Sequence, residues 1–348
     1  MSNSSRILII GNFLSSNGVY RSVCEELALR LQSAGWMVYS CSHYRNRALR
    51  LLDMLWTTWH TRKQYAVAQI DVFSGPAFVW AEAVTWTLRR AQKPYVLTLR
   101  GGSLPDFAQR WPQRVRRVLS GASAVTTPSR YLQEQMAAYR EGLILLSNPI
   151  DISLYPCVQR TTPTPRLIWL RAFHAMYNPT LAAKVVARLR AEFPEIHLTM
   201  VGPDKSQDDS FAAFQAAVRD LGIEERVDCV GGVPKNEVPT WLNRGDIFLN
   251  TTNVDNTPVS VIEAMACGLC IVSTNVGGIP YLLEDECDAL LVPPNDSDAM
   301  ANAVRRILTE PGLAERLSRN ARAKAEQFDW AVVLPQWERL LLEVQSRN

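Results

Sequence analysis

Residues 246–274, DIFLNTTNVDNTPVSVIEAMACGLCIVST, carry the pattern that decides the fold. A short apolar run, 246–250, precedes a polar loop. A helix-length stretch, 259–266, follows, and a second apolar run, 270–274, closes the segment. Two nearly continuous apolar strands joined by a helix form a βαβ unit, the building block of parallel sheets covered on both faces. Pro258 suits the first turn of the helix because its fixed φ is already helical. The amides after it have no intrahelical partners and, with the helix dipole, make a site for an anion.

The same alternation extends in both directions. Downstream of residue 165, strands are expected at 166–170, 197–202, 226–231 and 289–292, with helices at 179–193 and 211–221. Thr161-Thr162-Pro163-Thr164-Pro165 interrupts the pattern and reads as a linker. Upstream, strands are expected at 6–11, 37–42, 68–74, 95–99, 124–128 and 143–147, with helices such as 19–34 and 78–91. The class is α/β: two tandem Rossmann-like, doubly wound domains, with ligands expected at the carboxyl ends of the strands, facing an interdomain cleft. The domains are placed at 1–155 and 166–327, joined by a linker at 156–165. A length of 348 residues agrees, because single cores stop growing near roughly 250–300 residues.

A composition of 47% hydrophobic and 20% charged residues is that of a soluble globular protein and excludes disorder. No run reaches the about 18 apolar residues of a membrane span, and the opening MSNSSRILIIGNF lacks the layout of a secretory signal. The expectation is a cytoplasmic protein. Seven cysteines, an odd number, argue against a disulfide scaffold. Cys267 and Cys270 form a C-x-x-C, read as small apolar residues because no second pair accompanies them. Charge is uneven: residues 1–155 carry 18 Lys and Arg against 9 Asp and Glu, and the remainder 19 against 25. The first half therefore suits an anionic membrane surface or acidic acceptor, and no nucleic-acid module accompanies the charge.

Asp255 on the loop and Glu263, about one and a half turns into the helix, flank the anion site. Such a pair can grip the hydroxyls of a sugar and a ribose while the segment Asn256, Thr257, Pro258, Val259 and Ser260 surrounds a diphosphate, its N–H groups donating at every position but the proline. An ordinary αβ helix with a capping Asp reads equally well from spacing alone. Residues 255–268 resemble the E-x7-E signature of the retaining glycosyltransferases of family four, usually written E-G-x-P-x-S-x-x-E-A-M-A-C-G. Pro258, Ser260 and Glu263 through Gly268 match it, and Asp255 stands where the family has its first glutamate.

Further segments resemble the family in order. They are Pro128-Ser129-Arg130, Asn148-Pro149-Ile150-Asp151, the nucleobase loop at Gly232 and Val233 after 227–231, and Gly277-Gly278-Ile279-Pro280. The resemblance implies the GT-B fold, donor nucleotide in the second domain, and a last helix, within 328–348, returning to the first. It carries the family's diphosphate-binding arginine onto Arg171, whereas the family's lysine position holds Met176. His174 lies between them, a second cation if protonated, but is read as filling a turn. The acceptor-side His-Gly of the family corresponds to Arg100-Gly101, and its glycine-rich first loop to Gly18, with Asn17 replacing a glycine. Asp296-Ser297-Asp298 has a metal-binding D-x-D spacing but opens a helix, where Asp is an N-cap.

Residues 45–65, RNRALRLLDMLWTTWHTRKQY, place Ala48, Leu52, Leu55 and Trp59 on one helical face. The expected arrangement packs that face on the protein's own sheet and leaves a solvated basic face. The competing one rests a basic amphipathic helix on an anionic bilayer, and Trp56 with the arginines would still offer an exposed edge.

The reading is a metal-independent, retaining glycosyltransferase needing no cofactor. It moves a sugar from a UDP- or GDP-sugar to a glycan or lipid-linked acceptor in polysaccharide or glycolipid synthesis. Arg171, Asp255 and Glu263 carry the reaction, with peripheral membrane association open. The alternative is a non-catalytic sugar-nucleotide-binding subunit.

Overall fold

The computed structural model describes residues 5–14, 22–204 and 208–347. Contacts divide the chain into two units, 1–149 with 330–348 and 150–329.

The first unit runs β1 (Arg6–Ile10), α1 (Val23–Ser33), β2 (Met37–Cys41), α2 (Arg47–His60), β3 (Val67–Val72), α3 (Phe78–Arg90), β4 (Tyr95–Leu99), α4 (Leu104–Arg110), α5 (Pro112–Ser120), β5 (Ala124–Thr127), α6 (Arg130–Met136) and β6 (Ile144–Leu145). Its strands form one parallel sheet in the order β2-β1-β3-β4-β5-β6. Neighbouring residues of β1, β3, β4 and β5 feed different cores. Leu8, Ile10, Ile70 and Leu97 pack with Phe78, Val84 and Leu132, whereas Ile7, Ile9, Val67 and Val96 meet Leu27 and Leu31 of α1. That second core also takes Trp330, Val333, Trp337 and Leu341 of the last helix, and Trp36 Nε1 donates to Glu338 Oε1 at 3.0 Å.

Helix α2 departs from the expected packing. Its inward residues are Arg50, Met54 and Thr58, while Ala48, Leu52 and Trp59 are exposed and Leu55 is half-buried. The reason is Arg50. Its Nε donates to Tyr44 O at 2.9 Å, Nη1 donates to Asn12 Oδ1 at 3.3 Å, and the guanidinium lies 5.3 Å over the Trp80 ring. Satisfying a buried arginine this way turns the apolar stripe outward.

The second unit runs β7 (Arg166–Leu170), α7 (Pro179–Leu189), β8 (His197–Val201), α8 (Ser210–Asp220), β9 (Val227–Gly231), α9 (Val238–Leu242), β10 (Ile247–Asn250), α10 (Val259–Ala266), β11 (Cys270–Thr274), α11 (Ile279–Leu282), β12 (Leu290–Val292), α12 (Ser297–Thr309) and α13 (Leu313–Ala325). The chain ends in α14 (Trp330–Ser346), grouped with the first unit. The second parallel sheet has the order β12-β11-β10-β7-β8-β9.

Residues 156–165, expected as a linker, belong to the second unit. Arg160 is only 4% exposed. It donates to Asp246 Oδ1, Asn243 Oδ1, Gly245 O and Cys267 O, and Thr164 N donates to Asp246 Oδ2 at 2.9 Å. Burial pushes the Asp246 carboxyl up, but the bonds from Thr164 and Arg166 outweigh it and hold the group below its usual range. A proline-rich string lacks helical or strand periodicity, so its anchoring by one arginine was invisible to pattern.

The C-x-x-C is not a unit. Cys267 ends α10 in one core, and Cys270 starts β11 in the core on the other side of the sheet. Burial pushes each thiol up to about 12.

Candidate functional site

The loop between β10 and α10 is held from beneath by two glycines. Gly278 N donates to Asp255 O at 2.9 Å. A Cβ on Gly277, which has φ +53°, would lie 2.2 Å from Asp255 O, and one on Gly278 would lie 1.7 Å from Asn256 O. Only glycine permits that approach, which gives Gly277-Gly278 a structural reason independent of any ligand. Asn256 N donates to Asp255 Oδ1 at 2.8 Å, fixing the carboxylate.

Pro258 sits one position earlier than expected. It is the N-cap of α10, with φ −69° and ψ 116°, and no side chain caps the helix. Val261 N and Ile262 N turn back to Pro258 O. The hydroxyls of Thr257 and Ser260 are buried without a hydrogen-bond partner among the described residues.

Arg171 reaches this loop from the end of β7. Its Nη2 pairs with Asp255 Oδ2, and its guanidinium lies 4.7 Å over the Tyr177 ring. Its Nε is buried and unpartnered among the described residues. Gly202, at φ +152°, lets the chain after β8 pass against Arg171, since a Cβ there would meet Arg171 O at 1.6 Å. A buried donor or acceptor left unsatisfied costs about 1–3 kcal/mol. Three such atoms, on Arg171, Thr257 and Ser260, gather about one uncapped helix start. That is the arrangement a bound oxyanion satisfies.

Glu263 is 3% exposed, yet two donors from distant segments meet its Oε1: the Tyr155 hydroxyl at 2.5 Å and the Lys235 ammonium. Burial and the facing carboxylate push the Tyr155 phenol well above its usual range. Lys235 follows the expected nucleobase loop. There Gly231 has φ +81° and its carbonyl accepts from Gly202 N at 2.8 Å, Gly232 is exposed and Val233 is buried. Sequence reasoning missed Lys235 and Tyr155 because no motif marks them. Only the tertiary fold brings them to Glu263.

The other expected residues fall as follows. His174 Nδ1 accepts from Met176 N at 3.1 Å, capping a turn. Arg100, in the first unit, gives Nε to Asp71 Oδ1 at 3.2 Å and Nη1 to Asn148 Oδ1 at 2.5 Å, and Gly101 follows at φ +86°. It is tied to protein partners at the carboxyl edge of β3 and β4. An open groove of about 580 Å³ lies at the same edge, with walls that include Val79, Phe107, Trp111, Arg110 and Arg114. Gly18 lies outside the described residues. Asp296 accepts from Asp298 N and Ala299 N at the start of α12, and Asp298 pairs with Arg188. Glu284, Cys287 and Asp288 bring potential metal ligand atoms within 4.8 Å of one another, but Asp288 is already paired with Lys324 and accepts from Glu284 N.

Residues 159–324 match the family model of the group 1 glycosyl transferases. The matched residues include Arg171, Lys235, Asp255 and Glu263. The chain is 24% identical over 264 residues to D-inositol 3-phosphate glycosyltransferase of Paenarthrobacter aurescens, covering 72% of this chain and 65% of that protein. It is 33% identical over 124 residues to the amylovoran biosynthesis glycosyltransferase AmsK of Erwinia amylovora, covering 34% of this chain and 30% of that one. The chain thus spans less than two thirds of either relative. Among solved structures, sucrose-phosphate synthase from Thermosynechococcus elongatus superposes with a TM-score of 0.82 at 19% identity, over 99% of this chain and all of that one. HepE of Anabaena, in complex with UDP and glucose, gives 0.76 at 19% identity, over 97% and 99%. The fold is GT-B: two units, each a six-stranded parallel sheet among the described residues, clad in helices.

Proposed function

We propose that the chain is a retaining glycosyltransferase whose second unit binds a nucleotide-diphosphate sugar. The observation that carries this is the gathering of buried unpartnered atoms on Arg171, Thr257 and Ser260 at the uncapped start of α10, with the buried Glu263 carboxylate in the same helix. The match of residues 159–324 and the fold shared with HepE, whose structure holds UDP and glucose, support it.

In this reading the diphosphate takes the hydroxyls, the helix amides and Arg171 Nε. Glu263 accepts from ribose hydroxyls, and Asp255, fixed by Asn256 N, accepts from the transferred sugar. Gly232 and Val233 line the base. As the bond from the anomeric carbon to the β-phosphate oxygen breaks, charge grows on that oxygen, and preorganised donors stabilise it. The acceptor hydroxyl attacks on the same face and its proton passes to the leaving phosphate, so the step needs no metal and no separate base. The acceptor, a glycan or a lipid-linked sugar, is assigned to the first unit, at the groove beside Arg100 and Gly101. A cytoplasmic setting for surface polysaccharide or glycolipid synthesis goes with it.

A panel of UDP, GDP and ADP and their sugars in a thermal-shift assay tests the donor assignment, because a bound ligand raises stability by RT ln(1 + [L]/Kd). A shift with one nucleoside diphosphate and its sugar, with slow release of free nucleotide from the sugar form, supports an enzyme. A shift without any release favours the non-catalytic binding protein, the reading that Met176 and the Arg171–Asp255 pair would motivate. No shift with any member overturns the donor site.

A further inference from the structure

The outward face of α2 and α3 lacks a partner among the described residues of the first unit. Leu52 is 62% exposed, Trp56 69%, Trp59 47% and Trp86 61%, with Leu49 beside them on α2. On α2, Leu49, Leu52, Trp56 and Trp59 recur at spacings of three and four and so line one stripe. On α3, which packs alongside α2, Val79, Trp86 and Arg90 line another. Large aromatics are costly to leave in water, and an exposed run of them marks a contact surface.

What the surface fits is told by the groups laid on the rings. Arg62 lies 4.4 Å over Trp59, Arg90 lies 5.0 Å over Trp86, and His60 stacks on Trp56 at 5.1 Å with 10° between planes. Residues 44–93 hold eight Lys and Arg against three Asp and Glu. The acids do not offset the face. Asp53 accepts from Ser42 N and Thr57, Asp71 pairs with Arg100, and Glu82 is held by Arg114. Exposed tryptophans overlaid by arginine and histidine, with Arg45, Arg47, Arg62 and Lys63 at the ends of α2, are chemistry for the headgroup layer of an anionic bilayer. Indoles lodge at the boundary of the acyl chains, and cations meet phosphates.

We infer that the first unit docks on anionic membrane through the α2–α3 face, inserting Leu52, Trp56, Trp59 and Trp86, with Arg45, Arg47, Arg62, Lys63 and Arg90 on the lipid phosphates. This inference stands without the donor assignment. It also bears on the acceptor, because Val79 belongs to the α3 stripe and lines the groove at the carboxyl edge of the sheet.

The test is flotation of the full chain with vesicles of phosphatidylcholine alone or mixed equally with phosphatidylglycerol. Binding to the mixed vesicles is expected, weakening as salt shortens the Debye length from about 10 Å at 0.1 M to about 3 Å at 1 M. The variant Trp56→Ser/Trp59→Ser/Trp86→Ser should lose about tenfold or more in partition coefficient. Arg62→Glu/Lys63→Glu/Arg90→Glu should lose as much. Unchanged circular dichroism and melting would show that these exposed changes spare the fold. No flotation, flotation indifferent to phosphatidylglycerol, or equal binding by either triple variant would overturn the proposal. So would sedimentation showing that the tryptophan face joins two copies of the chain and is unavailable to vesicles.

Discussion

Arg171 closes on the carboxylate of Asp255, so the cation assigned to the diphosphate is tied to the anion assigned to the sugar. The two come from segments 84 residues apart in the chain. The pair satisfies two half-buried charges, while the buried guanidinium Nε has no partner among the described residues.

Burial pushes the Asp255 carboxyl above its usual range although Arg171 and the Asn256 amide oppose it. A carboxyl raised in the folded state holds its proton more tightly there than in the unfolded chain. Its stabilisation is therefore present at low pH and is lost as pH rises from the unfolded value through the folded one. Asp255→Asn has no such titration. In urea melts from mildly acidic to neutral pH, the native chain should lose stability relative to Asp255→Asn, and the difference should then level off. A native chain that gains on the variant as pH rises would mean that Arg171 outweighs burial.

Glu263→Gln keeps the side-chain shape and removes the charge. If Glu263 holds ribose, nucleoside diphosphate and nucleotide sugar should weaken alike, roughly 10- to 100-fold, for loss of a charge-assisted bond worth about 1.5–3 kcal/mol. Titration calorimetry reads both. Tyr155→Phe leaves the same carboxylate one donor short and should cost about 1–3 kcal/mol of stability. Unchanged affinity in Glu263→Gln would remove the ribose role.

Gly278→Ala places a methyl 1.7 Å from the Asn256 carbonyl, a backbone atom with no freedom to swing aside. The loop bearing Asp255 must move. Overpacking of this kind costs about 1–3 kcal/mol, and nucleotide affinity should fall with it. A variant that melts and binds as the native chain does would show that the loop is not held by this contact.

The thiols of Cys267 and Cys270, pushed up to about 12 by burial, should be inert. Iodoacetamide at mildly alkaline pH should label the exposed Cys157 and Cys229 first. Mass spectrometry of the native protein reads the order. Early modification of Cys267 or Cys270 would contradict their burial.

Transfer should persist in excess EDTA, since the proposed mechanism assigns phosphate charge to Arg171 and the start of α10, and Asp296 is spent as a helix cap. Activity abolished by EDTA and restored by Mn²⁺ would replace that mechanism with a metal-assisted one.

The sequence by itself determined the two parallel sheets, because each strand is a short apolar run and each crossover a helix-length segment. β4, β7 and β11 fall on the expected residues, and other boundaries move by a few. It also placed Asp255, Glu263 and Arg171 on the right elements, since a loop and a strand end are local features. Tertiary structure alone decided what those residues touch. Tyr155 and Lys235 lie 108 and 28 residues from Glu263, and no periodicity joins them. Residues 156–165 look like a linker until Arg160 finds its carbonyls on other segments. The apolar stripe of α2 faces outward because a buried arginine satisfied by Tyr44, Asn12 and Trp80 fixes the helix's rotation. Local pattern reports which faces a helix has; which face turns inward depends on partners that only the folded chain supplies.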